Sequence, residues 1–331
     1  MLNRKIDNKI DAHFSNSKKA LFLTGARQVG KTYSIRKYAK LHGLNLIEFN
    51  FLLQPETIDI INGAGDVNEL LLRISAYSRV SLVRSKTLIF FDEVQECPDV
   101  MTWVKALVDE GSYIYALSGS LLGVELKDIR SVPVGYMSET QVYPMDFEEF
   151  VSAVGVPENV LEAVKKSWSE KTPVDAYIHE KMMQLFHLYI IVGGMPAAVQ
   201  TYIDSNNIQN VVKEQKDIIN LYKKDIARYD HDVRKKLYID EVFDLIPSEL
   251  NAKNKRFILK RLNENMTFGR HENALSKLLS IPNYGIRRAI VLCNDNLHVK
   301  GNIEYLPVYM TMFLVKQDEL EDPIYKVNME F

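Results

Sequence analysis

The residues best placed to do chemistry lie in three short stretches. The first is GARQVGKT, residues 25–32, in which Gly25 and Gly30 bracket four residues and Lys31 and Thr32 follow at once. Glycines at that spacing let the backbone curl so that successive N–H groups point inward at phosphate oxygens. A lysine in the next position reaches outer phosphates, and a hydroxyl after it can ligate magnesium. Gly25, Ala26, Arg27, Gln28, Val29, Gly30, Lys31, Thr32 and Tyr33 are therefore expected to hold a nucleoside triphosphate. The second stretch is Asp92-Glu93, which closes the apolar run TLIFF at 87–91. Two adjacent carboxylates at the end of a buried strand are costly to keep charged. Beside a phosphate loop they have a use: Asp92, with Thr32, in the shell of a magnesium ion, and Glu93 as the base that orients or deprotonates the attacking water. The third stretch is Ser118-Gly119-Ser120, at the end of YIYALSGS. Ser118 there is either a sensor of the γ-phosphate or part of a plain strand-to-loop turn.

These groups need a frame that brings them together. Leu21, Phe22 and Leu23 form a strand-like run before the loop, and Ile35, Tyr38 and Ala39 follow it at helical spacing. A helix there adds the partial positive charge of its N-terminus to the phosphate site. Ahead of them, residues 1–19 are expected to be a helix with Ile6, Ile10 and Phe14 on one face. Further strands are expected at 45–51, 87–92 and 113–120, with a last strand or pair in 131–145. Helices are expected at 68–79 and 99–111, the latter with Trp103, Leu107 and Val108 inward. Strands alternating with helices predict an α/β fold: a P-loop NTPase-type parallel sheet with helices on both faces and ligands at the carboxyl ends of its strands.

After residue 150 the pattern turns helical, with helices expected at 157–169, 176–191, 196–204, 208–229 and 234–246, and Pro196 as a first helical residue. Arg228, in DIARYD, sits on a mostly charged helical face: either that face is simply solvated, or the arginine completes a neighbour's phosphate site. Arg130 is a second arginine of that kind. Residues 236–268 suggest two short helices joined by a polar turn, the second carrying Lys253, Lys255, Arg256, Lys260 and Arg261. That is a winged-helix-like pattern whose basic face, 253–261, either contacts DNA or only meets solvent. The tail has strand-like runs at 288–293 and 303–308 and no metal-nuclease pattern of an acid followed by Glu-x-Lys.

Composition narrows the classes. A net charge of −2 exerts no global pull on nucleic acid or membrane, and 47% hydrophobic with 25% charged residues is ordinary for a globular chain. Cys97 and Cys293 stand far apart, which suggests neither disulfide nor zinc site. The charged start and the lack of a long apolar run predict a soluble, cytoplasmic protein without membrane contact.

GARQVGKT, LIFFDEVQECP, LSGSLLG, YPMDFEEF, VGGMPAAVQTYI and DIARYD together resemble the prokaryotic AAA-type ATPases of the archaeal-ATPase group. The resemblance covers residues 1 to about 270. It implies an AAA-like core over 1–150, a helical lid region over 151–235, a winged-helix-like region over 236–270 and a C-terminal domain of unknown function over 271–331. That last part looks like a shortened α+β remnant, because the section where the family's acidic and Glu-x-Lys elements would fall is missing. The resemblance also implies ATP and Mg2+ as ligands, Lys31 and Thr32 on phosphate and metal, Asp92 on the metal, Glu93 as base and Ser118 as strand-end sensor. Hydrolysis is then expected to drive a conformational change, with a homo-oligomer as a further expectation. The alternative is a nucleotide-gated DNA- or protein-binding module with little turnover. A small-molecule kinase fits less well, since no acceptor-binding signature follows the loop.

Overall fold

Ala20–Gly25 (β1) is apolar at all but one of its side-chain-bearing positions and is buried along its whole length. Thr87–Asp92 (β3) is also buried along its whole length, with Thr87 and Asp92 its two polar residues, and Ile114–Ser120 (β4) is buried from its second residue on. Strands buried on both faces belong in the middle of a parallel sheet. The computed structural model, which describes residues 2–78, 81–120, 135–229 and 289–314 (with no side chains for 225–229), shows that arrangement. Asn45–Asn50 (β2) and Met137–Gln141 (β5) take the edges, in the order β2-β3-β4-β1-β5 with every pairing parallel. Segment 131–145 thus supplies one strand among the described residues.

Helices Lys5–Asn16 (α1) and Lys31–Leu41 (α2) cover one face, where Ile6, Ile10 and Ile35 pack on Leu21, Leu23, Leu88 and Phe90. Ile58–Asn62 (α3), Val67–Ser78 (α4) and Val100–Glu110 (α5) cover the other, over Phe22, Phe49, Phe91 and Leu117. The face that α5 buries is Val100, Met101, Val104 and Leu107, so Trp103 and Val108 lie on its half-buried flanks instead of at its centre. Gly111 closes α5 at φ +71°, the left-handed stop that glycine supplies without strain.

The described residues fall into two compact units. The first, 2–154 with 192–229, adds to the sheet domain Phe147–Ala153 (α6), Pro196–Ser205 (α9) and Ile208–Tyr229 (α10). Asp146 and Glu149 cap α6 reciprocally, each side chain accepting the other's backbone N–H at 2.9 and 3.0 Å. Pro196 is the first residue of α9, as its fixed φ favours. The second unit, 155–191 with 289–314, holds Glu158–Glu170 (α7), most of Ala176–Val192 (α8) and a small sheet. Its strands Ala289–Cys293 (β6), His298–Lys300 (β7) and Ile303–Pro307 (β8) run in the order β6-β8-β7. The expected single helical region 151–235 is therefore divided, its first part packing with the C-terminal strands. The short exposed β7, absent from the sequence expectation, pairs with β8 through a two-residue Gly301-Asn302 turn. Among the described residues no single helix is long and apolar enough to cross a membrane. The helix expected at 234–246, the basic stretch 253–261, the winged-helix region and Arg130 lie outside the described residues, as does the side chain of Arg228.

Candidate nucleotide site

Parallel pairing delivers the chemistry to one edge of the sheet. β1 ends at Gly25, β3 at Asp92 and β4 at Ser120, and β4 lies between the other two. Gly25 is at φ +146°, and a Cβ there would sit 2.2 Å from the carbonyl oxygen of Val142, so a side chain at this bend would collide with backbone. The loop then runs through half-buried Ala26 and Arg27, Gln28 at φ +61° and fully buried Val29 to Gly30 at φ +100°. Gly30 caps α2 without a side-chain hydrogen bond, leaving the first N–H groups of the helix for a ligand. Lys31 opens α2, and Tyr33, 44% exposed, stands at its rim.

Lys31 is only 5% exposed, and its Nζ donates to the carbonyls of Gly25 at 2.9 Å and Ala26 at 2.8 Å. Burial pushes its pKa down, opposed by the charges of Glu93 and then Asp92. A phosphate arriving at this ammonium would replace two neutral acceptors by a charged one, which forms stronger hydrogen bonds.

Asp92 is the chemical centre. It is 2% exposed and its Oδ2 accepts from Thr32 Oγ1 and from Asn50 Nδ2, each at 2.9 Å; its Oδ1 accepts from Ser118 Oγ. Burial raises its pKa, with the Ser118 hydrogen bond pulling the other way and the Glu93 charge adding to the rise. A buried carboxylate held by neutral donors alone is unfavourable as charge, and a divalent cation would relieve it. Thr32 and Asp92 offer hard oxygen atoms to such an ion, which suits magnesium, a metal that takes one or two protein oxygens and completes its shell with phosphate and water. The residues present fit Mg2+.

Glu93, half-buried, is turned at φ +57°, a conformation uncommon for a side-chain-bearing residue. Its Oε2 accepts from Gln95 Nε2 at 2.5 Å, and Gln95 also reaches Ser120 through Oγ at 3.3 Å and the backbone N–H at 3.4 Å. Gln95 thus ties the carboxylate to the end of β4.

The sheet brings Lys31, Thr32, Asp92 and Glu93 together as expected from their motifs. Ser118 differs: it is fully buried within β4, not in a turn, and gives its hydroxyl to Asp92. That hydrogen bond fixes the Asp92 carboxylate. Asn50 and Gln95 escaped the sequence reading. Asn50 ends β2, NLIEFN, and is paired in register with Asp92; half of that strand is polar, so nothing in the sequence singled Asn50 out. Gln95 carries no sequence signal beyond following Asp-Glu by two positions.

A family model described as AAA domain matches residues 17–151, and another, described as domain of unknown function DUF8612, matches 183–281. No curated protein matches the chain. Among solved structures, the Walker-type ATPase PABY2304 of Pyrococcus abyssi is 16% identical, with 78% of each chain covered and a TM-score of 0.39. The Aeropyrum pernix ORC1 protein, solved in complex with DNA, is 15% identical over 84% of this chain and 83% of that one, with a TM-score of 0.33. PCH-2 of C. elegans is 12% identical over 65% and 70%, with a TM-score of 0.37. At such scores these likenesses add nothing to what the AAA model gives. Residues 17–151 accordingly match an AAA domain, and the AAA assignment extends to that segment of the chain.

Proposed function

We propose that this chain binds ATP with magnesium at the loop 25–33 and hydrolyses it, using binding and turnover to drive a conformational change. The AAA domain supports nucleotide binding in general. The observation that carries the finer reading is the 2.9 Å hydrogen bond between Thr32 Oγ1 and the buried Asp92 carboxylate. It joins the hydroxyl that follows the phosphate lysine to the only buried acid at the strand ends among the described residues.

In this reading the loop amides and Lys31 hold the β- and γ-phosphates, and Thr32 and Asp92 hold magnesium. Held there, magnesium would neutralise phosphate charge. Ser118 and Asn50 keep the Asp92 carboxylate fixed. Glu93 takes the proton of the attacking water on its carboxylate, and Gln95 holds that carboxylate in place. An arginine from a neighbouring copy, Arg228 or Arg130, would complete the charge balance in a homo-oligomer. A cytoplasmic location and a DNA contact through 253–261 belong to the same reading as expectations.

The test is calorimetric titration of ATP and ADP into wild type and Asp92→Asn, each with and without magnesium. The expected result is binding that magnesium strengthens in the wild type and leaves unchanged in Asp92→Asn. Equal magnesium dependence in both proteins would contradict the role given to Asp92. A protein that binds nucleotide yet never turns it over would be the nucleotide-gated module.

A further inference from the structure

Two carbonyls of the phosphate loop are gripped from outside it. Arg4 is the N-cap residue of α1 and is 7% exposed; its Nη1 donates to the Val29 carbonyl at 2.9 Å. Tyr222, on α10, donates its hydroxyl to the Arg27 carbonyl at 2.8 Å. Both contacts lie within the first compact unit. A trans peptide is planar, so the C=O of one residue and the N–H of the next point in opposite directions. None of the described peptide bonds is cis. Holding the Val29 carbonyl toward α1 therefore turns the Gly30 N–H away from it. Holding the Arg27 carbonyl toward α10 does the same for the Gln28 N–H. A Cβ at Gly30 would meet Arg4 Nη1 at 3.4 Å and Pro196 Cγ at 3.9 Å, which marks the Arg4 side as the packed outer side of the loop.

Arg4 is itself fixed. Its Nε donates to Glu149 Oε1 at 3.0 Å and its Nη2 to the Tyr143 carbonyl at 2.8 Å. Glu149 is engaged in turn by the capping box of α6 and by the Lys5 N–H at 2.6 Å. A buried Arg–Glu pair adds little net stability compared with apolar packing, so its presence calls for another reason. The planar guanidinium offers that reason: it reaches three acceptors at fixed angles, which an ammonium cannot do.

We propose that Arg4 and Tyr222 are positioning residues of the nucleotide site, which preset the peptide planes 29–30 and 27–28 so that the Gly30 and Gln28 N–H groups face the phosphates. Donors oriented before the ligand arrives cost no reorganisation when it binds. This inference rests on the nucleotide reading above. It also makes α10 sensitive to the state of the loop, since a nucleotide that shifts the Arg27 peptide must pull on Tyr222.

The test compares MgADP with AMP in wild type, Arg4→Lys and Tyr222→Phe by calorimetry, with Lys31→Ala as control. The loop amides hold the phosphates beyond the first, so the ratio of ADP to AMP affinity is the readout. Loss of one neutral hydrogen bond in Tyr222→Phe should lower that ratio about 3- to 10-fold, and Arg4→Lys about 10-fold or more. Tyr222→Phe keeps its ring and is expected to fold and to melt within a few degrees of the wild type when no nucleotide is present, so it stands if Arg4→Lys fails to fold. An unchanged ratio in Tyr222→Phe, or equal weakening of ADP and AMP, would overturn the inference and leave the nucleotide reading intact. A wild type that binds no ADP would overturn both.

Discussion

The two compact units place their polar groups in opposite ways. Every buried charged side chain among the described residues, Arg4, Lys31, Asp92 and Glu149, lies in the first unit, and three of them converge on residues 25–32 or the elements that hold them. The second unit buries Val164, Met182, Leu297, Leu306 and Met310 instead. Its polar contacts are only part-buried: His179 Nδ1 shares a hydrogen bond with Tyr309 at 3.0 Å, Asn296 brackets the Val174 backbone, accepting from its N–H at 2.9 Å and donating to its carbonyl at 2.6 Å, and Lys171 pairs with Glu304 at 2.8 Å. Burial of a charge is tolerated only where partners or a ligand compensate it, so a cluster of such charges marks a working site. Neutral brackets of the Asn296 kind satisfy backbone groups at a turn of the fold. The buried charges thus lie in the unit that carries the proposed nucleotide site.

The sharpest way to break that contrast is Lys31→Ala. Removing the ammonium should weaken ATP and ADP binding at least about 100-fold, as titration calorimetry would read it, while melting of the nucleotide-free protein changes little. Next in size is the pH dependence of magnesium. The carboxyl of Asp92 holds its proton to a higher pH in the fold than in the unfolded chain, because it is buried. Its protonated form therefore stabilises the nucleotide-free fold at low pH, and that contribution is lost as pH rises through the raised pKa. Metal and proton compete for the same oxygens, so magnesium's enhancement of ADP binding should fall as pH is lowered through the raised pKa of Asp92. In Asp92→Asn the dependence should shrink to the part that comes from protonation of the nucleotide's own terminal phosphate. The smallest effect on the site belongs to the second unit: Asn296→Ala should cost about 1–3 kcal/mol of stability in denaturant unfolding and leave nucleotide affinity where it was. A loss of nucleotide affinity in Asn296→Ala would mean that the second unit also acts on the site.

Much of the first unit was legible in the sequence because its signals are local. Gly25, Gly30, Lys31 and Thr32 must be adjacent in the chain to form the loop, and Asp92-Glu93 closes an unmistakably apolar strand. What escaped depends on partners far away in sequence. Asn50 matters only because β2 pairs with β3 in a register that sets it beside Asp92. The hydrogen bond of Ser118 to Asp92 likewise depends on β4 lying beside β3. Arg4 resembles any polar residue at a helix start until residues 143–149 fold back onto it. In the second unit, the three-residue β7 is too short and too exposed to show an alternating pattern, and only its pairing with β8 identifies it.

The most direct test of the account is single-turnover hydrolysis of MgATP by wild type and Glu93→Gln at equal nucleotide occupancy. If Glu93 is the base held by Gln95, Glu93→Gln binds MgATP like the wild type and hydrolyses it about 100- to 10,000-fold more slowly. Turnover by Glu93→Gln at the wild-type rate, or its absence from a wild type that binds MgATP, would contradict the claim that this site is built for hydrolysis.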